Sequence, residues 1–193
     1  EARGLRWPAH VHVFGTDTWS MKPLPKHPDV RVWGRCFTSN VDSTDRPLSH
    51  AMLDQVRHDE SGGVDVAVFH GSREGQCPPS QKITAPFSDD EALGSPFAYH
   101  AVGHYHVMSR LEVQDHVDSP WTSAGARLAY AGSALALDLT ETGMHGALEV
   151  RLHYGDRKPI VEVEPVELDR RRVVDVAADV SGCASADQMD RRV

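Results

Sequence analysis

The sequence predicts a strand-rich α/β fold, a partial layered sandwich in which one sheet is flanked by a few outer helices. Three observations carry that expectation. Val64-Asp65-Val66-Ala67-Val68-Phe69 is a nearly continuous apolar run, the pattern of a strand covered on both faces. Several shorter stretches alternate apolar with polar residues, the period of a half-covered strand. Helix signals are fewer than strand signals, so strands outnumber helices.

In chain order, Val11-His12-Val13-Phe14 and Val30-Arg31-Val32-Trp33 read as two strands. Met21 to Pro28 between them holds three prolines and reads as a loop, because proline has no backbone donor. Leu48 to His58 reads as a short helix with Ala51, Met52 and Val56 on its apolar side. Val64 to Phe69 is the buried strand. Gly71 to Pro86, rich in glycine, proline and serine, reads as a loop that leaves the strand end and returns. Ser88-Asp89-Asp90-Glu91 matches a capped, acidic helix start, kept short by Gly94 and Pro96. Phe97 to Val102, Arg110 to Val113, Arg127 to Ala131, Gly146 to His153 and Ile160 to Val166 follow as strands. Gly155-Asp156-Arg157-Lys158-Pro159 reads as a hairpin turn between the last two.

Chemistry enters with histidine. His70 ends the Val64 to Phe69 run, and Gly103-His104-Tyr105-His106 ends the run Phe97 to Val102. Side chains at i and i+2 share a strand face, so His104 and His106 would project together. Two apolar strands thus deliver imidazoles at their carboxyl ends, where open α/β sheets place their ligand sites. Neutral imidazole is a common metal ligand. His12, His100, His145 and His153 lie in similar strand-like stretches without any such mark, and read as packed or solvated.

At these residues the sequence resembles the calcineurin-like metallophosphoesterases and, more narrowly, the nuclease subunit of the SbcCD-type (SbcD-type) DNA repair exonucleases. Phe69-His70-Gly71-Ser72 is similar to that family's fourth metal motif, and Tyr99 to His106 to its fifth, a glycine-histidine-x-histidine after a strand. Tyr130-Ala131-Gly132-Ser133 and Glu141-Thr142-Gly143-Met144-His145-Gly146 resemble segments that follow in the exonuclease branch. Val11 to Gly15 resembles the strand after the third motif, and Pro165 to Gly182 the start of a capping region. The resemblance therefore implies residues 1–166 as the C-terminal portion of the metallophosphoesterase domain and 167–193 as the start of the cap.

The sequence also departs from the family. It has no Asp-x-His, no Gly-Asn-His-Asp, and its only Gly-Asp lies in the hairpin turn, so the first three metal motifs have no counterpart. The chain is expected to be a fragment cut upstream of the third motif, with little or no activity in isolation, and no catalytic residue can be assigned.

For the parent, the resemblance implies a metal-dependent phosphodiester hydrolase acting on DNA. Two divalent ions about 3.5–4 Å apart would stabilise the attacking and leaving oxygens together. Manganese is the family's usual metal, with Fe or Zn as alternatives. By motif-matched carry-over, His70 and His104 would bind one ion and His106 the other, so three imidazoles are expected to converge. DNA, a coiled-coil ATPase subunit and a second copy of the parent are the implied partners, in the cytoplasm. Two alternatives share the residues: a phosphoesterase acting on small phosphoesters, and a non-catalytic scaffold docking an ATPase partner.

Composition constrains less. At 193 residues the chain holds one domain, or one plus part of another. A net charge of -8 runs against a phosphate-binding surface, so DNA as substrate rests on resemblance rather than charge. Arg170-Arg171-Arg172 and Arg191-Arg192 read as solvated faces. Three scattered cysteines, Cys36, Cys77 and Cys183, form no Cys-x-x-Cys and argue against a disulfide framework or thiolate zinc site. No apolar stretch is long enough to span a bilayer as a helix.

Overall fold

A computed structural model describes residues 7–37, 45–54, 56, 62–77, 82–113, 124–154, 159–185 and 187. The chain forms an α/β fold built on one mixed sheet. Its strands are β1 (Ser20–Leu24), β2 (His27–Gly34), β3 (Val64–His70), β4 (Tyr99–Gly103), β5 (Ser109–Val113), β6 (Ala124–Tyr130), β7 (Gly146–His153) and β8 (Ile160–Glu167). The order across the sheet is β1-β2-β3-β4-β6-β8-β7, with β5 paired antiparallel to β6. Strands β2, β3, β4 and β6 run parallel, so their carboxyl ends share one edge. That edge carries the site.

Alternation along the central strands separates two apolar clusters. Val64 and Val66 of β3 join Val161 and Val163 of β8 in one, whereas Ala67 and Phe69 face the other with Phe97 and Tyr130. Fully burying a Phe97-sized side chain contributes about 1.5–3 kcal/mol. Helix α2 (Asp89–Gly94) covers the second cluster through Ala92. Its start is the capping box read from sequence: Ser88 Oγ accepts from Glu91 N–H, and the Glu91 carboxylate accepts from Ser88 N–H. Its end is satisfied from inside the sheet, where the buried Arg127 guanidinium donates to the carbonyls of Ala92, Leu93 and Ser95. Burial lowers the Arg127 pKa to about 10.

A buried ion pair joins β2 to β3. Arg31 on β2 donates through Nε and Nη2 to the two oxygens of Asp65 on β3 at 2.7 and 2.8 Å, and Trp33 Nε1 adds a third donor at 2.8 Å. The Asp65 side chain is 1% exposed.

Two elements differ from the sequence reading. Met21 to Pro28 is a hairpin rather than a loop, because β1 is an edge strand and Pro28 precedes the first residue of β2 that pairs with β3. Proline is tolerated in both places, since no ladder bond is demanded of it. Val11 to Phe14 forms no strand: Val11 and Val13 face solvent, and Phe14 lays its ring over Gly34 instead. The helix expected from Leu48 is α1 (His50–Leu53), a single turn. Its continuation through 55 and 57–58 lies outside the described residues, as do the turn at 155–158 and Arg191-Arg192. Strands β7 and β8, which flank that turn, pair antiparallel over their full length. Arg170 and Arg171 are exposed, and Arg172 pairs with Glu167. Among the described residues Cys36, Cys77 and Cys183 form no disulfide. After β8, residues 168–185 are without helix or strand. Among the described residues no helix is long and apolar enough to cross a membrane.

Candidate functional site

Register puts the site together. His70 at the end of β3 lies opposite Gly103 at the end of β4, so His104, the next residue, stands beside His70. His104 Nδ1 and His70 Nε2 are 3.0 Å apart. Two nitrogens each about 2.0–2.1 Å from one metal and at right angles to each other would be separated by about 3.0 Å. The far nitrogen of His104, Nε2, donates to the carbonyl of Lys82 at 2.9 Å, which leaves the Nδ1 lone pair facing His70. Phe37, in the segment after β2, stacks on the His70 ring at 5.4 Å. Burial, followed by the neighbouring His104, lowers the pKa of His70 and favours the neutral ring a metal requires.

His106 goes elsewhere. His104 has φ 138°, a left-handed backbone conformation that a side chain rarely adopts. That turn breaks the i, i+2 alternation expected from an extended chain, and His106 meets Glu141 rather than His104. Its Nδ1 lies 2.5 Å from Glu141 Oε1. Gly103 is not where the unusual geometry sits, since a Cβ there would meet His70 Nδ1 at an ordinary 3.5 Å. The structure thus brings two of the three imidazoles together. Among the described residues no group of three or more histidine, cysteine, aspartate or glutamate side chains is arranged to hold a metal ion.

The loop after β6 completes this edge. Tyr130 donates its hydroxyl to the Gly71 carbonyl at 2.7 Å and accepts from Arg73 N–H at 3.1 Å, pinning the turn that follows His70. Tyr105, its ring 4.6 Å from that of Tyr130 and tilted 34° to it, donates to the Arg73 carbonyl. Gly132 has φ 75°, and a Cβ there would fall 2.7 Å from the His106 carbonyl, so only glycine allows this approach. Ser133 N–H then donates to the same carbonyl at 3.1 Å. Glu141 accepts from Leu137 N–H at 2.9 Å as well as from His106, and these bonds hold its carboxyl below the usual carboxylate range. Lys82, Ser133 and Glu141 were not among the sequence candidates. Ser133 and Glu141 lie in two of the quoted motif strings, whereas Lys82 contributes only a backbone carbonyl and leaves no signal.

His100, His145 and His153 lie inside the fold or in solvent, away from His70 and His104. His100 is fully buried, with Nδ1 donating to the Arg127 carbonyl at 3.0 Å and Nε2 2.8 Å from Ser95 Oγ. Burial and the Arg127 charge push its pKa down to about 3. His145 is buried beside Ser133, and His153 is a solvated partner of Glu162.

Imidazole nitrogen is a donor type that suits a transition-metal ion, but among the described residues only His70 and His104 are brought together, and His106 is turned away from them. His104 donates its second nitrogen to a carbonyl and His106 to a carboxylate, the outer contacts that orient metal-bound histidines. The fold places the chain among α/β proteins whose parallel strands bring their carboxyl ends to one edge, here the edge that carries His70 and His104. Over 143 residues, 72% of its length, the chain is 33% identical to the DNA double-strand break repair protein Mre11 of Methanopyrus kandleri. It spans 29% of that curated relative. No family model matches the sequence.

Proposed function

We propose that this chain supplies the imidazole side of a two-metal phosphodiester hydrolase acting on DNA, a repair nuclease of the calcineurin-like metallophosphoesterase type. The observation that carries the reading is the 3.0 Å approach of His104 Nδ1 to His70 Nε2 at the carboxyl edge of the sheet. Similarity to a DNA double-strand break repair protein supports DNA as the substrate class. His70 and His104 would hold one ion and His106 the second, with manganese the expected metal. Such ions supply a water-derived nucleophile near neutral pH and stabilise charge on the phosphoryl oxygens. The chain's own residues hold position: the Lys82 carbonyl and the Glu141 carboxylate fix the imidazoles, and Tyr130 fixes the turn after His70.

The bridging carboxylate and remaining ligands of such a centre have no counterpart in this sequence, and would be joined to this edge in the parent. Residues 167–193 would begin its cap, and a coiled-coil ATPase and a second copy of the parent would be its partners in the cytoplasm.

The test is a Mn2+-dependence assay on the parent with duplex ends, single strands and p-nitrophenyl phosphate, comparing native protein with His104→Ala. Metal content and DNA hydrolysis should fall at least about 100-fold, beyond the 10–100-fold loss typical of an outer contact. Unchanged turnover with unchanged metal content would contradict the proposal. Turnover confined to the small phosphoester would reassign the substrate.

A further inference from the structure

We infer that the outer edge of β7 is a docking strand for a second copy of this chain, paired antiparallel about a two-fold axis at Val150. This gives the second copy proposed above a surface, and it stands on the sheet rather than on the metal site.

The sheet ends in two strands of opposite character. β1 carries Lys22 and Pro23 and shifts register after Pro23, devices that blunt an edge against further pairing. β7 has eight residues, no proline or lysine, and an unbroken register against β8. Leu168 N–H donates to the His145 carbonyl, and the alternation that continues from this pair turns the odd-numbered residues of β7 toward β8. The backbone N–H and C=O groups of Leu148, Val150 and Leu152 therefore point outward. Gly146 fixes the direction, because its N–H donates on this outer side to the Ser133 carbonyl. Beyond it, no strand among the described residues pairs with this edge.

Charge selects both the register and the occupant. An antiparallel partner matches outward-facing residues with one another, so the symmetric registers of longest overlap place either Glu149 or Val150 on the two-fold axis. With Glu149 there, two carboxylates lie directly opposite each other, which is destabilising. With Val150 there, Glu149 lies opposite Arg151 of the second copy and Leu148 opposite its Leu152. Every charged contact is then between unlike charges. Within one chain Glu149 is placed across from Glu164 on β8, and Arg151 serves both carboxylates at 2.8 and 3.1 Å. A second copy brings each Glu149 an arginine on its open side. On the other face Leu148, Val150 and Leu152, partly buried against the cluster of Val161 and Val163, would meet their counterparts and continue the apolar layer. A strand of unrelated sequence lacks this pattern, whereas a second copy carries it.

The test is sedimentation velocity of the 193-residue chain over a concentration series, with Glu149→Arg and Arg151→Glu measured alone and mixed. Both substitutions are at solvent-facing positions. Each alone sets like charges across the axis and should raise the dimer dissociation constant about tenfold or more. Mixed together, the two variants oppose arginine to glutamate at both contacts and should pair with native affinity. A native chain that stays monomeric throughout, single variants that dimerise as the native chain does, or a mixture no tighter than its components would each overturn the inference. If a variant does not fold, hydrogen exchange of the native chain decides: the amides of Leu148, Val150 and Leu152 should gain protection as concentration rises, and unchanged exchange overturns it. Metal uptake does not enter these readouts, so their failure leaves the metal reading standing.

Discussion

His100 and His104 lie four residues apart, one inside β4 and the other just past its end. Inside the sheet, both His100 nitrogens meet protein partners and the ring is sealed from solvent, so it stays neutral and gives nothing to a ligand. At the edge, His104 has one nitrogen tied to a carbonyl and the other facing a second imidazole. The same contrast separates Asp65, which receives three donors from Arg31 and Trp33, from Glu141, which braces a half-exposed ring. What distinguishes site from scaffold is therefore the partner of the second atom, and whether the first is left facing outward.

That contrast can be broken from the interior side. Asp65→Ala strands a buried guanidinium and should destabilise the fold by about 3–5 kcal/mol, measured by denaturant unfolding. At temperatures where the variant remains folded, its metal uptake should match the native chain. A loss of metal affinity as large as that of His104→Ala would show that the two regions are not separable.

A smaller effect sharpens the comparison through pH. The folded His100 pKa is depressed to about 3, whereas the unfolded ring titrates near its ordinary value of 6.5. Below pH 6.5 the unfolded chain binds a proton that the folded chain refuses. The stability from a neutral His100 is thus fully present above that pH and declines as pH falls toward 3. The slope is about 1.4 kcal/mol per pH unit. Between pH 6.5 and 5 it should appear in urea unfolding of the native chain and disappear in His100→Asn. Equal slopes in both chains would show that His100 is not sealed.

Much of this architecture is legible in the amino acids because its causes are local. The Val64 to Phe69 run, the alternation through β7 and β8, and the Ser88 and Glu91 box each specify their element within a few residues. The β1–β2 hairpin is not legible in that way, since its prolines are allowed only by β1 being an edge, a property of the assembled sheet. The site divides similarly. His70 beside His104 follows from two strand ends in parallel register. The departure of His106 depends on φ at His104, and its partner Glu141 is 35 residues away in sequence. Spacing alone could not supply either.

The most direct test of the central claim is a Co2+ titration of this chain followed by the ring resonances of His70 and His104. The account predicts that both shift together at one equivalent of metal, and that His70→Ala abolishes the response of His104. Independent shifts, or Co2+ uptake that leaves both rings untouched, would contradict it.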